Sequence, residues 1–111
     1  MDANVVFSRD AEVQEFDNGT YRKILAYNEQ LMIVEVHFET NAVGSIHTHP
    51  HLQSTYVCEG RFRFTIGDET VEVAAGDSIA FPSGIPHGTV CLRKGVLLDI
   101  FTPMREDFLD F

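Results

Sequence analysis

The feature that most limits what this chain can fold into is its punctuation. Short β-compatible runs recur along the sequence, each closed by turn residues, and no helical periodicity appears before Met104. Val13–Phe16, Tyr21–Tyr27 and Leu31–Phe38 read as strands, separated by Asp17-Asn18-Gly19 and Asn28-Glu29. In LMIVEVHF, Met32, Val34, Val36 and Phe38 fall on one face, and Ile33, Glu35 and His37 on the other. His37 is expected to be solvated rather than to ligate. Arg61–Ile66 and Glu69–Ala74 form a hairpin across Gly67-Asp68, with Phe62 and Phe64 facing a core and Arg61 and Arg63 facing water. Strands near Ser78–Phe81, His87–Cys91 and Val96–Thr102 follow. After Pro103, a short helix over Met104–Phe111 carries Met104, Phe108 and Phe111 as its apolar stripe. Many short strands without alternating helices predict an all-β sandwich or small barrel.

A chain of 111 residues suits one domain, 1–111, burying roughly two-thirds of its unfolded surface. Seventeen acidic against eight basic residues, net charge −9, argue against nucleic acid or an anionic membrane as partner. No apolar run approaches a membrane span, and MDANVVFSRDAEVQEFDN has neither the basic region nor the apolar core of a signal peptide. The expected location is the cytoplasm. Cys58 and Cys91, with no CxxC, are expected to be buried reduced thiols.

Two blocks carry chemistry. GSIHTHPHLQSTYVCEG, Gly44 to Gly60, holds His47, His49 and His51 with Gln53 close behind; GDSIAFPSGIPHGTVC supplies Gly76, Pro82, Gly84 and His87. On an extended strand His47 and His49 face the same way. With His87 and the Gln53 amide they make a first shell for a transition metal, and imidazole suits zinc, nickel, copper, iron and manganese alike. His51 is a rival ligand, although its place after Pro50 suits the rim better. A solvated histidine loop is the plain alternative, but it predicts neither Gln53 nor the second block.

The pair of blocks resembles the two signature motifs of the cupin superfamily. The first runs Gly44, two residues, His47-x-His49, three residues, Gln53, six residues, Gly60; the second runs Gly76, five residues, Pro82-x-Gly84, two residues, His87. The resemblance implies a double-stranded β-helix, or jelly-roll barrel, with a divalent metal (nickel, zinc, iron or manganese) held by His47, His49, Gln53 and His87. It also implies a homodimer. Gln53 stands where the family usually has glutamate, and Cys91 where the second motif often has asparagine. A neutral amide leaves more of the metal's charge for an anionic substrate oxygen, which favours Lewis-acid over redox chemistry.

In GVLLDIFTPMRED, Asp99 interrupts an apolar strand, shares a face with Phe101, and precedes Arg105. A buried carboxylate there requires a partner or a raised pKa. With HTHPHLQ and the ending REDFL, the segment is similar to the small pectin-degradation cupins. That similarity implies ring opening of 4,5-unsaturated monouronates, with Asp99, Phe101 and Arg105 beside a small sugar acid. The competing expectations are another small-molecule cupin enzyme, such as a metal-dependent dioxygenase, and a non-catalytic sugar-binding cupin.

Overall fold

The computed structural model describes residues 2–109. Eight strands follow in order: β1 (Glu12–Glu15), β2 (Thr20–Asn28), β3 (Leu31–Phe38), β4 (Val43–His47), β5 (Leu52–Ile66), β6 (Glu69–Ala74), β7 (Ser78–Phe81) and β8 (His87–Thr102). The alternation read in β3 is realised: Met32 and Val34 are fully buried, and Phe38 nearly so. On the opposite face His37 is stacked on Tyr21, ring centroids 4.3 Å apart, and contacts Glu35 at 2.6 Å, so it is paired rather than solvated.

Two long strands build the barrel. The second half of β8 pairs with β3, while its first residues pair with β4. The first half of β5 pairs with β7 and its second half with β6. Because β5 and β8 run antiparallel along their whole length, each belongs to two layers. One layer reads β1-β2-β3-β8-β5-β7, and the other β4-β8-β5-β6. This is the jelly-roll expected.

The change of layer falls where two glycines cross. A Cβ on Gly95 would stand 2.3 Å from the Glu59 carbonyl oxygen, and one on Gly60 would stand 2.5 Å from that of Arg93. No side chain fits there, and Gly60 also has φ +85°. The crossing lets β8 run unbroken from His87 to Thr102, where two strands were expected.

Phe38, Val57, Phe62, Phe64, Phe81 and Leu97 form one part of the core, and Ile24, Met32, Val34 and Phe101 another. Phe62 and Phe64 point inward, while Arg61 and Arg63 pair with Glu72 on the surface. The C-terminal helix is a single 3₁₀ turn, Glu106–Phe108, packed on the second core region through Met104 and Phe108. Phe111, the last member of its expected stripe, lies outside the described residues. Both cysteines are free, but Cys58 is exposed and only Cys91 is buried. The alternation along β5 explains this, because Val57 takes the core-facing position beside Cys58. Among the described residues no helix is long and apolar enough to cross a membrane.

Candidate metal centre and active site

His47 ends β4, directly opposite His87 at the start of β8. His49 lies beyond the strand end, so the HxH pair is split between strand and loop. The three rings nevertheless converge: ligand atoms of His47, His49 and His87 lie within 4.8 Å of one another. Gly88 permits the approach of the two strands. A Cβ on it would meet the Gly44 carbonyl oxygen at 2.8 Å and the Ile46 nitrogen at 2.9 Å.

Each ring is oriented by the backbone. The Nδ1–H of His47 donates to the Ser45 carbonyl at 2.8 Å, and that of His87 to the Ile85 carbonyl at 2.9 Å. These bonds leave each Nε2 as a lone pair, and that of His87 is buried without a partner. His49 is bracketed by oxygens: the His51 carbonyl lies 3.2 Å from Nδ1, and the Gln53 amide oxygen 2.9 Å from Nε2. A neutral imidazole has one N–H and cannot serve both. A cation bound by Nε2 and the amide oxygen removes the conflict, so the donor set fits a divalent transition metal. Burial, and behind it the charge of Arg105, lowers the pKa of His49; burial also lowers that of His87, against the raising effect of the Ile85 carbonyl. Both rings are thereby held neutral, as metal ligation requires.

The structure explains Gln53. Its NH₂ donates to Thr55 Oγ1 at 2.9 Å and to Asp99 Oδ1 at 3.3 Å, which turns its oxygen toward His49. A glutamate there would set two carboxylates face to face. Thr55, 1% exposed, donates to the same Asp99 oxygen at 2.6 Å. Asp99 is densely surrounded by protein but keeps an edge on the cavity. Burial pushes its pKa up to about 6, although the bonds from Thr55 and Gln53 pull the other way.

Asp99, Phe101, Arg105, His47, Gln53 and His87 all line one cavity of about 270 Å³. The structure therefore brings these expected site residues together; His49 does not line this cavity but a neighbouring one, packed edge-on against Phe101 between them. Arg105 is 7% exposed and binds Asp107 through Nε and Nη2 at 3.0 and 2.8 Å. His51 stays outside the cluster; its Nε2 donates to the Met104 carbonyl at 3.2 Å. Thr55 was not among the residues singled out in the sequence. The position of Thr55, two after Gln53 on the same strand face, was the available signal.

Fold and centre together define a small cupin in which three histidines could hold a metal ion. Residues 34–101 match the Cupin domain family, and the chain belongs to that family. It is 40% identical over 98 residues to the pectin degradation protein KdgF of Dickeya dadantii, covering 86% of this chain and 89% of that one. Among solved structures it is similar to an RmlC-like cupin from Shewanella frigidimarina, with 36% identity, TM-score 0.91 and coverage of 98% and 100% of the two chains. The structure of KdgF from Halomonas sp. is similar at 33% identity and TM-score 0.89, covering 96% of this chain and 98% of that one.

Proposed function

We propose that this protein is a metal-dependent enzyme of pectin breakdown that opens 4,5-unsaturated monouronates to linear 4-deoxy-5-keto uronates. The observation that carries the reading is that Asp99, a carboxyl with a pKa of about 6, lines one cavity with His47, His87 and Gln53. The likeness to KdgF, a pectin degradation protein, supports the substrate class.

The reaction is an isomerisation. The substrate is a cyclic hemiacetal whose ring oxygen also belongs to an enol ether. Loss of the anomeric hydroxyl proton forms the C1 carbonyl as the C1–O5 bond breaks. The electron pair leaves on O5, and protonation at C4 turns the resulting enolate into the C5 ketone. His47, His49, His87 and Gln53 would hold a divalent cation, which would supply Lewis acidity to the site. Asp99 takes the hydroxyl proton and returns it at C4, work suited to a carboxyl titrating near neutrality. Thr55 and Gln53 hold Asp99 in place through their hydrogen bonds. Arg105 contributes positive charge near the substrate carboxylate, and Phe101 forms an apolar wall.

In this reading residues 1–111 are one cupin domain, acting in the cytoplasm as a homodimer. Exposed apolar side chains Val5, Phe7, Val13 and Phe16, on and flanking the edge strand β1, support the dimer. Sedimentation velocity tests it, and a monomer at micromolar concentration removes that part.

The activity test is ultraviolet absorbance of an unsaturated monouronate, with metal-loaded and chelated protein side by side. Ring opening destroys the conjugated double bond, so a metal-dependent loss of signal above the spontaneous rate is expected. An unchanged rate with metal bound refutes the assignment, and oxygen uptake then becomes the next assay.

A further inference from the structure

The cavity carries a second cation. Arg22 sits in β2, on the face it shares with Thr20 and the buried Ile24, and lines the same cavity as Asp99. Its Cζ lies 3.5 Å from the Phe108 ring centroid and 4.9 Å from that of Phe16. The rings attract the cation but offer no carboxylate to pair with it.

Among the described residues, one edge of this guanidinium is committed. Nε donates to Gln14 Oε1 at 2.6 Å. The Gln14 NH₂ in turn donates to the Phe108 carbonyl at 2.7 Å and to Glu12 at 2.6 Å. Gln14 thus ties β1, β2 and the C-terminal turn together and fixes where Arg22 points. Among the described residues, neither terminal nitrogen of Arg22 has a hydrogen-bond or ion-pair partner. Arg105 differs, because Asp107 already fills its Nε–Nη2 fork. The acids that act on Arg22 are Asp107 and Glu12, which are engaged by Arg105 and Gln14 respectively. The result is a half-buried cation at a cavity, with its end-on fork open.

We propose that Arg22 binds the substrate carboxylate through a bidentate contact from Nη1 and Nη2, and so selects uronates over neutral sugars. The assignment rests on the uronate reading above for the identity of the anion, and on this geometry for the residue. Paired N–H donors in a plane match the two oxygens of a carboxylate, which a lysine ammonium cannot reproduce.

Calorimetric titration of the metal-loaded protein with galacturonate and with its neutral methyl ester tests this without requiring turnover. The wild type is expected to prefer the acid. Arg22→Gln is expected to lower the acid-over-ester ratio of affinities about tenfold to a hundredfold. Arg22→Lys, which keeps the charge and loses the fork, is expected to lower it by less, and it carries the test should the glutamine variant not fold. A wild type without acid preference overturns the assignment, as does an unchanged ratio in the variants. Equal weakening toward acid and ester also overturns it, by marking a structural role. An Arg22-dependent ratio in a protein without ring-opening activity overturns the reaction and leaves the carboxylate site standing.

Discussion

Replacing Gly88 by alanine tests whether the close approach of β4 and β8 sets the metal centre. The new methyl would lie 2.8 Å from the Gly44 oxygen, 2.9 Å from the Ile46 nitrogen and 3.0 Å from its Cα, against the 3.4 Å at which ordinary contact begins. All three atoms are backbone, so no side chain can swing away. β4 must retreat by about half an ångström, the tolerance within which a ligand constellation still functions. His47 ends that strand, and His87 precedes the altered residue. Such overpacking costs about 1–3 kcal/mol of stability, and misaligned ligands are expected to lower metal affinity about tenfold to a hundredfold. The assay is competition between the protein and a chromophoric chelator, with urea unfolding alongside. Gly44→Ala serves as the control on the same strand pair. Its methyl would meet Thr89 Cγ2 at 3.4 Å and Phe38 Cε2 at 3.8 Å, both ordinary contacts. Metal affinity in Gly88→Ala within twofold of wild type would refute the reasoning.

Three further outcomes are expected. Asp99 carries a pKa of about 6 in the fold against an ordinary 3.8, so the native state binds that proton more tightly. Its stabilising contribution is full below about pH 4, is lost as the pH rises to about 6, and amounts to roughly 3 kcal/mol. Urea titrations of chelated Asp99→Asn should lack that slope, and the variant should lose turnover while keeping its metal; an unchanged slope or full activity contradicts this. Gln53→Glu, which brings a second carboxylate against Asp99 at the present 3.3 Å separation, should keep metal but lose at least about tenfold in kcat; wild-type kcat counts against the Asp99–Gln53 coupling. Phe62→Ala, at a fully buried position, should cost about 3–5 kcal/mol by urea unfolding; a loss under 1 kcal/mol would mean this core region is not tightly packed.

Much of the fold was legible because its signals are local. Period-two alternation marked β3 to the residue, and Gly67-Asp68 marked the β5–β6 hairpin. The continuity of β8 was not legible, since Arg93-Lys94-Gly95 looks like a loop. Only the crossing with Gly60, far away in sequence, makes it part of a strand. The histidines and Gln53 were legible as a spaced motif, and Asp99 as a charge among apolar neighbours. Arg22 was not, because a single arginine beside Lys23 at the start of a strand carries no mark. Its importance comes from Gln14, Phe16 and Phe108, which only the folded chain brings around it.

His47 and His49 come from the end of β4 and the loop beyond it, and His87 from the start of β8. No local piece of the unfolded chain presents all three in the same arrangement. A metal held by them would therefore be a ligand of the native state, and by mass action it would deepen the native well as its free concentration exceeded the dissociation constant. At a hundredfold excess the gain is about 2.7 kcal/mol, a large share of what holds a domain of this size together. Metal supply would then bear on how much of the chain is folded, before any question of catalysis arises.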